Sequence, residues 1–128
     1  MIGARDLPKM MAFYHAVLAP LGLRRHEEPA EAGPAGIIWQ RPGRRWPQFA
    51  LRTPLNGLPA TCGNGVQISF AAASPDIVEA AWHLALQHGG TDEGAPGLRP
   101  RYNDDFFAAY CRDPEGNKLC FVHANALP

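Results

Sequence analysis

Apolar residues recur along the chain with two periods, and the changes of period divide it into helices and strands. Leu7, Met10, Met11, Tyr14, Val17, Leu18 and Leu21 are spaced to line one face of a helix. Asp6 precedes them as an N-cap and Pro8 falls in the first turn, where its missing N–H costs nothing, while Pro20 and Gly22 close the segment. A second helix starts at Ser74, with Pro75 at its first position and Asp76 complementing the positive end of the helix dipole. Ile77, Ala81, Leu84 and Ala85 form its inner face and Asp76, Glu79, His83 and Gln87 a polar stripe, until Gly89-Gly90 ends it.

The remaining apolar runs are short and read as strands: Leu23–Glu28, Ala35–Gln40, Gln48–Arg52, Gly65–Ala71, Phe106–Arg112 and Lys118–His123. Asp113-Pro114-Glu115-Gly116-Asn117 puts Pro where a turn wants a fixed φ and Gly where it wants φ > 0, so it joins the last two strands in a tight hairpin. Residues 53–64 carry no apolar period and read as a connector.

The plan occurs twice. Ala4-Arg5-Asp6-Leu7-Pro8 leads into the first helix as Ala72-Ala73-Ser74-Pro75 leads into the second, an offset of about 68 residues. This predicts an α+β chain of tandem βαβββ modules in one domain, 1–128: module one 1–52, connector 53–64, module two 65–128. Only Met1–Arg5 precede the first helix, so the counterpart of Gln67 would fall just before Met1. Either the first strand is shortened or the true start lies a few residues upstream.

Composition narrows the function classes. At 128 residues, 46% hydrophobic and 19% charged, the chain has enough apolar material for one packed core. Thirteen Gly and thirteen Pro suit a turn-rich fold of short elements. Twelve Lys+Arg balance twelve Asp+Glu, so no overall positive field draws the chain to nucleic acid or a membrane surface. No apolar run approaches the roughly 18–20 residues of a membrane span, and no secretory leader is evident. Three cysteines (Cys62, Cys111, Cys120) in no metal-knuckle spacing read as free thiols of a cytoplasmic protein. There is no nucleophile motif and no phosphate-cradling loop; Gly63-Asn64-Gly65 leads into a strand rather than a helix.

Strand alternation nominates site residues. With Val66, Ile68 and Phe70 packed toward the second helix, Gln67 and Ser69 point the other way. Leu119 and Phe121 pack inward, leaving Lys118, Cys120 and Val122 opposite, and pairing Cys111 with Leu119 puts Tyr110 beside Cys120 on that face. Trp39, Trp46 and Phe49 are candidates to line an apolar pocket. Arg99, Arg101 and Tyr102, in a Gly/Pro-rich loop, are candidates to hold a carboxylate, and His123 is a candidate for the rim.

Three passages resemble the vicinal oxygen chelate superfamily, also called the glyoxalase/bleomycin resistance/dioxygenase family. They are Ala4-Arg5-Asp6-Leu7 through Phe13-Tyr14 to Leu18-Ala19-Pro20-Leu21-Gly22-Leu23, then Gly63-Asn64-Gly65-Val66-Gln67-Ile68-Ser69-Phe70, then Tyr110-Cys111-Arg112-Asp113-Pro114-Glu115-Gly116-Asn117-Lys118. The resemblance implies a curved mixed sheet around a cleft with two helices outside, and commonly a homodimer. It implies two functions. One is a lyase, isomerase or dioxygenase whose divalent ion (Zn, Ni, Fe or Mn) polarises the oxygens of a small substrate; the other is metal-free binding of a small molecule, as in bleomycin-resistance proteins. Carried over by position, the metal ligands fall on Gln67 and Cys120. The first-strand ligand would precede Met1, and Gln48–Arg52 offers no His or carboxylate, so the inherited metal site is degenerate.

Overall fold

Both helices form where their caps place them. In the computed structural model, which describes residues 1–26 and 35–127, the first helix (α1) spans Leu7–Leu18 and the second (α2) Pro75–Gln87. Asp6 Oδ1 accepts from Lys9 N at 3.1 Å and Ser74 Oγ from Ile77 N at 3.4 Å, each satisfying a donor that a helix start leaves unpaired. α2 ends with the N–H groups of His88 and Gly90 bonded back to Leu84 and Ala85 carbonyls across Gly89, whose φ is +95°.

The strands are β1 (Ile2–Gly3), β2 (Arg24–His26), β3 (Gly36–Gln40), β4 (Gln48–Arg52), β5 (Gln67–Ala71), β6 (Thr91–Leu98), β7 (Phe107–Arg112) and β8 (Lys118–His123). Each half therefore reads βαβββ, and the two halves share one topology: two four-stranded sheets ordered β1-β4-β3-β2 and β5-β8-β7-β6. In each, the first strand runs parallel to the last and the other pairs are antiparallel. The sheets do not close on one another. β1 pairs only with Leu51 and Arg52 of β4.

Three expectations shift. The run 23–28 forms a strand over Arg24–His26, and Glu27 and Glu28 lie outside the described residues. Val66 sits before β5 and is 59% exposed, so it does not share the packed face of Ile68 and Phe70. β6 arises where only a Gly/Pro-rich loop was legible. Thr91–Leu98 contains Gly94, Pro96 and Gly97 and lacks apolar alternation; its pairing with β7 shifts register between Asp92 and Gly94 and again between Gly94 and Gly97.

One continuous core joins the modules. Met10, Phe13, Tyr14, Val17 and Leu18 of α1 and Val78, Ala81 and Ala85 of α2 pack with one face of each sheet: Ile37, Trp39, Phe49 and Leu51 from the first, Phe70, Cys111, Leu119 and Phe121 from the second. Aromatic rings run through it: Tyr14 of α1 to Phe49 at 4.8 Å, Phe49 to Phe70 from one sheet to the other at 5.4 Å, and Phe70 to Phe121 within the second sheet at 6.2 Å. The β7–β8 turn adds a polar lock. Asp113, 2% exposed, accepts the Tyr14 hydroxyl at 2.6 Å, while the Glu115 carboxylate accepts the backbone N–H groups of Arg5 and Asp6 at 2.7 and 2.8 Å. The opposite faces of the two sheets are turned away from this core.

Candidate functional site

On the open face of the second sheet, register sets the side chains in rows. Gln67, Lys118 and Arg112 lie across β5, β8 and β7; one step along come Ser69, Cys120 and Tyr110, with Gly94 of β6 beyond; then Ala71, Val122 and Ala108, with Gly97. The hairpin pairs Cys111 with Leu119 and Tyr110 with Cys120, as alternation required. Ala108, Cys120 and Val122 lie buried under Phe106 and Tyr110, while Gly94 in the second row leaves room beside the tyrosine. A Cβ on Gly94 would stand 3.0 Å from Tyr110 Cδ2, so glycine there allows β6 to lie against the tyrosine ring.

The room is an open cavity of about 730 Å³. Its floor is Gln67, Lys118 and Tyr110; its walls are Glu93, Gly94 and Leu98 of β6 and the segment Arg99–Tyr102, with Phe106 at the entry to β7. Two cations flank the Tyr110 ring, the Arg99 guanidinium and the Lys118 ammonium, each 5.6 Å from its centroid. Arg99 is aimed by hydrogen bonds to the carbonyls of Ala95 (2.6 Å) and Leu98 (3.3 Å). Glu93, the cavity's carboxylate, accepts from Arg112 Nε at 2.6 Å and is thereby engaged. Tyr102 packs on Phe106 at 5.2 Å with the Arg101 guanidinium 5.9 Å from its ring.

The uncharged groups of this face bond to one another. Gln67 Nε2 donates to Ser69 Oγ at 3.1 Å. Cys120, 1% exposed, has its thiol pKa raised by burial, against the opposing pull of contacts to Ser69 and Tyr110 and of the Arg99 and Lys118 charges. The Tyr110 hydroxyl is likewise pushed up, first by burial and then by the neighbouring Cys120. At neutral pH the face therefore presents a thiol and a phenol beside two cations.

That donor set does not fit a divalent ion. Gln67 and Cys120 share the face but offer a neutral amide and a thiol disfavoured as thiolate, the form that binds metal. Arg99 and Lys118 would repel an added cation. Among the described residues no three His, Cys, Asp or Glu side chains are grouped to hold one. The matching strand of module one, β4, adds only Gln48, Ala50 and Arg52 on its outward face.

The structure gathers Gln67, Arg99, Tyr102 and Tyr110 in this cavity, with Ser69 and Cys120 adjoining them. It separates the other aromatic candidates. Trp39 is 1% exposed in the core, 5.9 Å from Phe49, with its ring out of reach of an occupant. Phe49 is also core, its edge bordering a second cavity of about 440 Å³ at the seam with Ile68, Ser69 and Phe70. Trp46, 65% exposed, lines a third cavity of about 500 Å³ on the first sheet with His26, Ile38 and Gln48. His123 Nδ1 is 3.0 Å from the Ala72 carbonyl and lines none of these cavities. Sequence reasoning missed Lys118, Leu98, Phe106 and Glu93 as lining residues. Alternation had already put Lys118 on the right face; Leu98 and Glu93 needed β6.

Comparison with known proteins places the chain in context. Residues 1–121 match the sequence profile of the Glyoxalase/Bleomycin resistance protein/Dioxygenase superfamily. Among solved structures, a glyoxalase/bleomycin resistance protein from Albidiferax ferrireducens T118 is similar at 38% identity and TM-score 0.79, over 97% of this chain and 94% of that one. A glyoxalase/bleomycin resistance protein/dioxygenase family enzyme from Burkholderia phytofirmans PsJN shares 21% identity at TM-score 0.70, over 95% and 93%. A lactoylglutathione lyase from Agrobacterium tumefaciens shares 19% at TM-score 0.62, over 96% and 89%. The last two likenesses are of fold alone. Comparison with curated proteins returns no match.

Proposed function

The chain belongs to the Glyoxalase/Bleomycin resistance protein/Dioxygenase superfamily, and we propose that within it the protein binds a small molecule on the open face of its second sheet without a metal ion. The observation that carries this reading is the composition of the cavity of about 730 Å³: its cations, amide and phenol suit an organic ligand, and its carboxylate, Glu93, is already bonded to Arg112. A lyase, isomerase or dioxygenase working through Zn, Ni, Fe or Mn would need ligands that Gln67 and Cys120 do not supply.

The active assembly in this reading is a homodimer. Both sheets turn a face away from the shared core, each with its own open cavity, and a second copy is a natural cover for them. Among the described residues no helix is long and apolar enough to cross a membrane. The three unpaired cysteines, Cys62 exposed, suit the reducing cytoplasm.

The test is a thermal-shift screen of small organic compounds run in chelator, alongside elemental analysis of the purified protein. The expected result is ligand-dependent stabilisation undiminished by chelator, with metal far below one equivalent per chain. A tightly held equivalent of metal, lost when Gln67 or Cys120 is replaced by alanine, would overturn the reading.

A further inference from the structure

Resting on the reading that the β5–β8 face is the binding site, we propose that its occupant is a small organic anion: a carboxylate on an apolar or aromatic body. The acid group meets the Arg99 and Lys118 cations that line the cavity beside Tyr110, and the body lies along Leu98, Tyr102 and Phe106.

The charge argument comes first. Two cations stand beside one aromatic ring, each 5.6 Å from it. Both line one cavity, and the protein does not neutralise them: Arg99 is bonded to neutral carbonyls, and among the described residues no carboxylate pairs with Lys118. Glu93 lies in the same cavity but is committed to Arg112. Over the whole chain acidic and basic residues balance, so this face holds a local positive excess that an anion would relieve. The Arg99 fork is fixed by its backbone bonds, which lowers the cost of ordering it around a ligand.

The shape of the remainder gives the ligand's other half. Leu98 and Tyr102 are 56% and 62% exposed, although both are large apolar groups, and Tyr102 forms a ledge with Phe106. This ledge adjoins the cation pair inside one cavity. Inorganic phosphate could satisfy the cations and would leave the ledge bare; a purely apolar ligand would leave the cations unpaired. A carboxylate with an apolar body satisfies both.

Calorimetric titration of the full chain, with backbone-amide shift mapping, tests the proposal using naphthoate, naphthalene carboxamide and inorganic phosphate. Naphthoate is expected to bind with shifts centred on Tyr110 and Phe106, at least about tenfold tighter than the carboxamide or phosphate. Its affinity should weaken with added salt. Lys118→Met should weaken naphthoate about tenfold and leave the carboxamide unchanged, while Arg99→Lys, which keeps the charge, should lose only a few-fold. Equal binding of naphthoate and carboxamide, or indifference of naphthoate to Lys118→Met, overturns the anion inference and leaves the face as the site. Phosphate binding as tightly as naphthoate, or no naphthoate binding at all, likewise overturns the inference; the site reading then rests on the screen in chelator. Shifts confined to the Phe49–Phe70 seam overturn both.

Discussion

Replacing Tyr14 by phenylalanine isolates one of the bonds that tie the two modules at their polar end, beside those from Arg5 and Asp6 to Glu115. The Asp113 carboxylate is 2% exposed and accepts four hydrogen bonds: from the Tyr14 hydroxyl at 2.6 Å, from Asn117 Nδ2 at 2.8 Å, and from the backbone N–H groups of Glu115 and Asn117 at 2.9 and 3.0 Å. Three of these come from the turn itself, and only the tyrosine comes from module one. Phenylalanine keeps the ring and its contacts to Phe13 and Phe49, so little packing is lost. What disappears is one short bond to a buried carboxylate, a kind that contributes about 1.5–3 kcal/mol. A loss of about 2 kcal/mol is therefore expected in urea unfolding, read as a lower midpoint at unchanged slope. The variant should also lose part of its alkaline sensitivity. Burial, and then the Asp113 charge, raise the Tyr14 hydroxyl well above its usual value of 10.0. Its contribution to stability is thus complete below about pH 10 and is lost above it, as the unfolded tyrosine ionises and the folded one does not. A change under about 0.5 kcal/mol at neutral pH would refute the reasoning, because the carboxylate would then be fully satisfied by its own turn.

Cys111, buried on the core face of β7, has its thiol pushed from 9.0 up to about 12, chiefly by burial and then by the Asp113 charge. Its contribution is present below about pH 9 and falls through about pH 12 by about 4 kcal/mol in all, so Cys111→Ala should flatten the decline of urea midpoints between about pH 8 and about pH 10.5; parallel curves would refute this. Gly94→Ala should destabilise the fold by about 1–2 kcal/mol, since φ is +156° and the new Cβ would stand 3.0 Å from the Tyr110 ring; an unchanged thermal midpoint would show that the ring moves aside freely. Light scattering on the eluted protein should give twice the chain mass. A monomer at micromolar concentration would remove the homodimer from the proposed assembly.

What was legible in the sequence is what a local pattern can encode. Asp6 and Ser74 announce helices because capping is decided within one turn, and both caps are made. The β7–β8 hairpin follows from the five residues at its tip, so the placement of Tyr110 beside Cys120 came with it. The duplication was visible as repeated order, and both halves form the same βαβββ plan. β6 was illegible for the opposite reason: Gly94, Pro96 and Gly97 remove the alternation that marks a strand, and their pairing is set by the neighbouring β7. With β6 unread, the cavity lost a wall, and Glu93 and Leu98 could not be assigned to it. The aromatic candidates failed to converge because alternation says which face a residue takes but not which face of a module meets the other. Trp39 and Phe49 lie on the face that joins the modules, and Trp46 lies in the segment before β4 on the far side. The metal reading and the ligand reading part on the same ground. Position alone assigned Gln67 and Cys120 to a metal, while Arg99 and Lys118, brought over Tyr110 from a loop and a strand end, give the site the opposite charge preference.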